Sequence, residues 1–246
     1  MKLVIAGSTG FLATELIRQA LAHSGIASVI ALGRREASLP PSTELDSSKA
    51  KLKSVICRDF ETYPENVKTE IAGADACIWT IAITPSKSKL VAWEETCKIS
   101  RDYAVAAIKT MSQLRRDDTS SKFRFIYVSG ASAERDKSRK PLILGDYCLM
   151  RGEAESLILA SAQESNGTTE ACIARPGLIQ DPNKAGILSK AAGSVGRTLI
   201  GLPMVDLREV SAALLDQAVN SFEKETLQNE DLVRIGSRVL SAQKSS

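Results

Sequence analysis

The feature that most constrains this chain is a glycine-bearing loop near its beginning. Gly7, Gly10 and Ala13 have the spacing Gly-x-x-Gly-x-x-Ala, directly after an apolar run, Leu3 to Ala6, and directly before a helical pattern. Such a run is typical of a strand buried on both faces. The first glycine allows a tight turn, the second lets a pyrophosphate approach the backbone, and the alanine keeps helix and strand close. The loop predicts a phosphate site at a helix N-terminus; the alternative is a glycine-rich turn that binds nothing.

The same alternation of short apolar runs and helical patterns continues along the chain. The predicted strands are Leu3–Ala6, Ser28–Leu32, Leu52–Cys57, Ala76–Ile81, Phe123–Val128 and Glu170–Ala174. The predicted helices are 11–23, 65–72, 89–114 and 146–163, and residues 36–50 and 133–141 are polar loops. Repeated strand–helix units with short connections predict the α/β class, with a doubly wound parallel sheet.

The last third of the chain has a different pattern. Residues 181–205 carry Gly, Pro and Ser, a helix is predicted over 207–222, and a short strand is predicted near 232–235. We expect residues 1–246 to form a single domain. In it, residues from about 178 onward form a small substrate-binding extension over the carboxyl edge of the sheet, where ligands bind in such folds.

Composition excludes several classes of function. The net charge is only +3 over 246 residues and the basic residues are scattered, so no nucleic-acid partner is expected. The five cysteines stand singly and there is one histidine, His23, which indicates reduced thiols, no metal and no histidine-based triad. No apolar run approaches the length of about 18 residues that spans a membrane. With a strand predicted from residue 3, we expect no cleavable signal, a cytoplasmic protein and a monomer or homodimer.

The residues after the second and third strands bear on which dinucleotide binds. Arg34 and Arg35 follow the second strand, where a carboxylate would otherwise bind the ribose of NAD. Two guanidinium groups suit a 2′-phosphate by charge and geometry, so the pair favours NADP(H); the alternative is two solvated surface arginines. Asp59 and Phe60 are expected to meet the adenine, and the segment 80–84 to pass close to the nicotinamide side.

Together these motifs resemble the short-chain dehydrogenase/reductase superfamily, most closely its atypical branch with NmrA-like and Tat-interactive-protein-like members. The resemblance covers about residues 1–180. It is carried by Gly7-Ser-Thr-Gly-Phe-Leu-Ala13, Gly33-Arg-Arg35, Asp59, Tyr127-Val-Ser129-Gly-Ala, Tyr147-Cys-Leu-Met-Arg151-Gly-Glu-Ala-Glu155 and Arg175-Pro-Gly177. It implies a Rossmann fold, a bound dinucleotide and, in many members, carbonyl reduction.

The resemblance implies a catalytic group of Ser129, Tyr147 and Arg151. Family enzymes use a serine, a tyrosine that donates a proton and, four residues later, a lysine. Here Arg151 stands in the lysine position; arginine binds ribose hydroxyls and favours a tyrosinate, but it does not release a proton. Ser129 precedes Tyr147 by 18 residues, and Ser132 precedes Tyr147 by 15 residues, against a separation of about a dozen in the family. The alternative is a Tyr147 that only packs at a helix start, next to a solvated face formed by residues 152–155.

The remaining implied site residues fall into two groups. The cofactor group is Gly7, Ser8, Thr9, Gly10, Phe11, Leu12, Arg34, Arg35, Asp59, Phe60, Thr80, Ile81, Ala82, Arg151, Pro176 and Gly177. The substrate group lines the nicotinamide cleft and an apolar lid, and it comprises Pro176, Gly177, Leu178, Ile179, Leu188, Leu199, Leu202 and Met204. Trp79 and Trp93 either wall the pocket or pack in the core, and core packing is the commoner role of such aromatics.

Three functions are compatible with these residues. The favoured one is an NADP(H)-dependent oxidoreductase acting on a small, fairly apolar carbonyl, imine or enone. The second is a regulatory protein that binds NADP(H) without turnover, which the missing lysine and the long Ser–Tyr separation favour. The third is a non-redox isomerase or cyclase on the same scaffold. Its product would have the same mass as its substrate, whereas a redox product would differ by two hydrogens.

Overall fold

The computed structural model describes residues 1–37, 50–114, 121–181 and 201–244. Its centre is a seven-stranded sheet in which every neighbouring pair is parallel, with the order β3-β2-β1-β4-β5-β6-β9. The strands are β1 (Lys2–Ala6), β2 (Ser28–Gly33), β3 (Leu52–Ile56), β4 (Ala76–Trp79), β5 (Phe123–Val128), β6 (Thr169–Ala174) and β9 (Thr226–Leu227). The strand order reverses direction between β1 and β4, so a cleft opens there at the carboxyl edge. The predicted doubly wound fold is confirmed.

Helices cover both faces of this sheet. They are α1 (Phe11–Ala22), α2 (Glu65–Ile71), α3 (Trp93–Cys97), α4 (Tyr103–Gln113), α5 (Gly145–Gln163), α6 (Leu207–Val219) and α7 (Asn229–Lys244). A π-helix, Lys98–Asp102, joins α3 to α4. Strands β7 (Leu178–Gln180) and β8 (Met204–Asp206) pair in a separate two-stranded parallel sheet. This small sheet begins next to the carboxyl end of β6.

The core has two halves because successive side chains of a strand point to opposite faces. On β1, Leu3 and Ile5 pack with α1, α6 and α7, whereas Val4 and Ala6 pack with α4, α5 and the segment after β3. All four side chains are fully buried, which explains why this run reads as continuously apolar. Residues 207–244 therefore contribute to the layers of the sheet itself.

Two predicted elements differ from the structure. The predicted helix 89–114 begins only at Trp93 and is interrupted by the π-helix Lys98–Asp102. The predicted strand near 232–235 is wrong, since these residues lie inside α7. Leu232 and Ile235 are three residues apart and both fully buried, as a helix facing the sheet requires. A short apolar run does not distinguish strand from helix by its pattern alone.

In the described parts of the chain, no helix combines the length and the apolar character needed to cross a bilayer. The same residues contain no cluster of three or more His, Cys, Asp or Glu side chains suited to a metal ion. All five cysteines are free, and four of them are buried.

Candidate functional site

The glycine loop forms a closed turn between β1 and α1. Gly7 adopts φ +89°, which side-chain-bearing residues rarely tolerate, and a Cβ there would lie 2.5 Å from Thr80 Oγ1. The Gly7 amide donates to Leu32 O at 2.9 Å, and the Gly10 amide donates to Gly7 O at 2.8 Å. The turn brings the loop onto the ends of β2 and β4, and position 7 has to be glycine.

The N-terminus of α1 faces outward from this turn. Gly10 is the N-cap in an extended conformation and supplies no side-chain cap. The first bond of the helix runs from Thr14 N to Gly10 O, so the amides of residues 11–13 precede it and are available to an anion. Ser8 is 3% exposed and its hydroxyl lacks a partner among the described residues. Open amides and an unpartnered hydroxyl fit the phosphates of a dinucleotide.

Arg34 and Arg35 lie beside this loop, at the end of β2. Both are exposed. A Cβ at the preceding Gly33 would lie 2.6 Å from Ser8 Oγ, so the loop and the arginine segment are in close contact. Two exposed guanidinium groups next to a phosphate-binding loop suit an additional phosphate.

The two residues expected at the adenine differ in their exposure. Asp59 is exposed and accepts a bond from the Glu61 amide at 3.0 Å. Phe60 is 1% exposed, and its ring packs edge-on against Trp79 with 5.5 Å between centroids. The Phe60 ring therefore belongs to the core beneath the surface, and its expected position near the adenine stays a prediction.

The segment after β4 closes the other side of the loop. Thr80 donates from its hydroxyl to Ala6 O at 2.7 Å and from its amide to the same oxygen at 3.1 Å. The Ile81 side chain lies next to Gly7, and Ala82 is half-buried. Thr80 thus supports the loop from below, and Ile81 packs against Gly7.

A largely apolar cavity of about 550 Å³ lies at the carboxyl ends of β5 and β6. It brings together five of the predicted catalytic and cofactor residues, namely Ser129, Tyr147, Arg151, Pro176 and Gly177. Residues 141–144 also line it, and Leu142 among them is fully exposed. Both ends of the predicted loop 133–141, Ala133 and Pro141, therefore line the cavity.

Tyr147 and Arg151 lie one turn apart on α5 and both contact this cavity. The Tyr147 hydroxyl donates to Ile83 O at 2.7 Å. Burial raises the pKa of Tyr147, and the positive charge of Arg151 partly opposes that rise. The phenol is therefore protonated at neutral pH.

Arg151 is held by backbone carbonyls. The side chain is 4% exposed, and Nη2 donates to Val128 O at 2.6 Å. Nη1 lies 3.5 Å from Ser100 O in the π-helix, and the guanidinium stacks over the Tyr127 ring at 4.8 Å. The π-helix turns Ser100 O toward α5, so this irregular segment shapes the site.

Ser129 is engaged by a residue that the sequence interpretation missed. Its hydroxyl donates to Glu155 Oε1 at 2.6 Å, and Glu155 is completely buried. Glu155 also accepts from Arg135 Nε at 2.7 Å and from Arg175 Nε at 3.0 Å. The predicted solvated face of residues 152–155 is therefore wrong at Glu155, which joins β5, α5 and the Arg-Pro-Gly turn.

A family model described as NAD(P)H-binding matches residues 7–218, from the glycine loop to the end of α6. The chain belongs to the NAD(P)H-binding family. The expected Rossmann dinucleotide-binding family is confirmed by this model, and a nicotinamide dinucleotide is the cofactor class. No curated protein matches the chain in sequence.

Solved structures share the fold of this NAD(P)H-binding chain. MoeE5, in complex with UDP-glucuronic acid and NAD, aligns with a TM-score of 0.66 at 16% identity over 98% of this chain and 83% of its own. DesIV, a dTDP-glucose 4,6-dehydratase from Streptomyces venezuelae with NAD bound, gives 0.66 at 16% over 100% and 83%. Vestitone reductase from alfalfa (Medicago sativa L.) gives 0.64 at 19% over 92% and 76%. At such identities the likeness shows the Rossmann-like α/β fold alone.

The remaining predicted positions of the NAD(P)H-binding chain lie in different environments. Ile179 and Leu202 line the cavity, whereas Met204 is half-buried in β8. Trp79 is fully buried, as core packing requires, and Trp93 is 47% exposed at the start of α3. Positions 188 and 199, expected in the lid, lie outside the described residues.

Proposed function

We propose that this chain is an NADP(H)-dependent oxidoreductase acting on a small, largely apolar molecule with a carbonyl, imine or enone group. The observation that carries the proposal is the cavity of about 550 Å³ whose polar groups include Tyr147 and Arg151 on one helical face. A mostly apolar lining with a few convergent polar groups is typical of a small-molecule site. No group of basic residues lines it for a phosphorylated substrate, since Arg151 is its only basic residue among those described.

The cofactor would be held along the carboxyl edge of the sheet. The amides at the start of α1 would bind the pyrophosphate, and Arg34 and Arg35 would bind the 2′-phosphate that distinguishes NADP from NAD. Pro176 and Gly177, which line the cavity, would contact the nicotinamide end. When bound, the dinucleotide supplies or accepts the hydride.

Tyr147 would supply the proton in this reaction. Its raised pKa keeps the phenol protonated, and its hydrogen would turn from Ile83 O to the substrate oxygen. The fixed charge of Arg151 would stabilise the phenolate that remains, and solvent would return the proton. Because arginine stays protonated, Arg151 would act by charge and position only.

The test is substrate-dependent oxidation of NADPH over a panel of ketones and enones. Replacing Tyr147→Phe removes the proton donor, and we expect activity to fall by about 100-fold or more. Tyr63→Phe is a matched control, because the Tyr63 hydroxyl is buried away from the cavity and has no partner among the described residues. Full activity in the Tyr147 variant would remove this residue from the mechanism.

A second candidate is a protein that binds NADP(H) without turnover. It is favoured by the engagement of the implied catalytic groups: the Tyr147 hydroxyl is bound to Ile83 O and the Ser129 hydroxyl to Glu155. Arg151 also occupies the position of a proton-relaying lysine. This candidate predicts NADP(H) binding, no turnover on any member of the panel, and a protein partner recovered with the NADP(H)-loaded chain.

A further inference from the structure

The turn after β6 is held against a part of the chain that comes much later in the sequence. The Gly177 amide donates to Asn229 Oδ1 at 2.9 Å, and the Leu178 amide donates to Pro203 O at 2.8 Å. A Cβ at position 177 would lie 2.0 Å from Pro203 O, so the two backbones are in direct contact and only glycine fits. The place of this turn in the cavity therefore depends on the segments around Pro203 and Asn229.

Asn229 joins the turn to β8 with one side chain. It lies at the start of α7 and is 6% exposed. Its Oδ1 accepts from the Gly177 amide, while its Nδ2 donates to Met204 O at 3.1 Å. The orientation of the side-chain amide is fixed, because a backbone N–H only donates and a backbone carbonyl only accepts. Of the side chains of this size, aspartate lacks the donor and leucine lacks both groups, so asparagine is the one that makes both bonds.

The turn that Asn229 holds forms one wall of the main cavity. Pro176 and Gly177 line the cavity at the end of β6. Pro176 has no backbone N–H, and the amides of Gly177 and Leu178 are already bonded within the protein. This wall therefore offers a ligand close packing instead of amide donors. Since a gap of about 0.5–1 Å forfeits a quarter to a half of a van der Waals contact, a ring bound here depends on where the turn lies.

We propose that Asn229 is a positioning residue for the nicotinamide ring, because its bond to the Gly177 amide keeps the turn after β6 in contact with that ring. Without the bond, the amide lacks its partner and the turn has to move toward another acceptor. The Gly7 loop, which would bind the phosphates, follows β1, and β4 and β5 separate β1 from β6. Loss of Asn229 should therefore weaken the contacts of the ring and leave those of the phosphates intact. One step rests on the proposed function, namely that the ring lies at this turn.

The test compares two probes that differ in the nicotinamide ring. NADPH carries the ring, and 2′-phospho-ADP-ribose is the corresponding molecule without it. Dissociation constants are measured by calorimetric titration. Burial of the ring in a largely apolar site predicts that the wild type binds NADPH about tenfold more tightly than 2′-phospho-ADP-ribose. In Asn229→Ala we expect this ratio to fall to about threefold or less, while the affinity for 2′-phospho-ADP-ribose changes by less than about twofold.

Ser237→Ala is the matched control on the same helix. The Ser237 hydroxyl donates to Glu209 Oε1 at 2.6 Å, and this bond joins α7 to α6 instead of to the turn. We expect the control to keep the wild-type ratio. If Asn229→Ala does not fold, Asn229→Ser takes its place, because a serine hydroxyl is too short to keep the bond to the Gly177 amide.

An unchanged ratio in the Asn229 variant, or a wild type that does not distinguish the two probes, would overturn the proposal. An equal loss of affinity for both probes, or a similar change in Ser237→Ala, would do the same, because it would show that Asn229 only supports the fold. NADH and ADP-ribose provide the same comparison if the chain prefers NAD to NADP. Because no turnover is measured, failure of the NADPH oxidation assay leaves this result independent.

Discussion

Replacing Glu155→Gln removes one buried negative charge between two arginines while keeping the size of the side chain. Glu155 is 0% exposed, and the side chains of Arg175 and Arg135 are 16% and 31% exposed. Breaking a buried ion pair from one side costs about 3–5 kcal/mol. The amide oxygen still accepts a bond and both guanidinium groups reach solvent, so we expect a smaller loss of stability, about 2–3 kcal/mol. For a chain of this size that lowers the melting temperature by about 4–12 °C.

The assay is thermal and urea unfolding followed by circular dichroism. The matched control is Glu153→Gln, two residues earlier on α5, whose 33%-exposed side chain pairs with Arg101 and Lys137 at 2.8 and 3.2 Å. Exposed pairs contribute less than about 1 kcal/mol, so this control should unfold almost as the wild type does. If the two variants lose the same stability, Glu155 does not hold β5, α5 and the Arg-Pro-Gly turn together.

Two further predictions concern packing and pH. A Cβ at position 152 would lie 1.9 Å from Glu134 O, so Gly152→Ala should destabilise by about 2 kcal/mol or more. Gly130→Ala, where a Cβ meets nothing within 4 Å, should stay within about 0.5 kcal/mol; equal losses in urea titrations would contradict the argument. Burial raises the pKa of Cys57 to about 11 and that of Cys172 to about 12. Both thiols thus ionise more easily in the unfolded chain than in the folded one. Their contribution to the free energy of unfolding is complete below the ordinary thiol pKa near 8.5, and it is lost as the pH rises through their pKa values in the folded protein. The free energy of unfolding should fall from about pH 9 upward, less steeply in Cys57→Ala, and a profile flat to pH 11 would refute this.

The sheet was predictable because its signals are local. A strand buried on both faces is a continuous apolar run, and Gly7 and Gly10 mark the turn that follows β1. The two residues of β9 carry too little pattern to be recognised, and the buried positions of α7 at 232 and 235 match either element.

The sequence predicted which residues belong to the site but not how they contact one another, because these contacts join distant parts of the chain. Nothing near Glu155 indicates that Ser129, Arg135 and Arg175 surround it. Gly152 was the available signal: a glycine inside a long helix costs stability, and here it admits the backbone of residue 134. The burial of Phe60 could not be predicted from its neighbours in sequence, because the aromatic rings that bury it come from another strand and another helix.

The most direct test of the account is calorimetric titration of NADP+ and NAD+ into the wild-type protein and into an Arg34→Gln, Arg35→Gln double variant. We expect the wild type to bind NADP+ at least about tenfold more tightly than NAD+, since the charged hydrogen bonds to the 2′-phosphate are absent with NAD+. In the double variant the two affinities should become equal while NAD+ binding is retained through the Gly7 loop. Tighter binding of NAD+ by the wild type, or no binding of either dinucleotide, would contradict it.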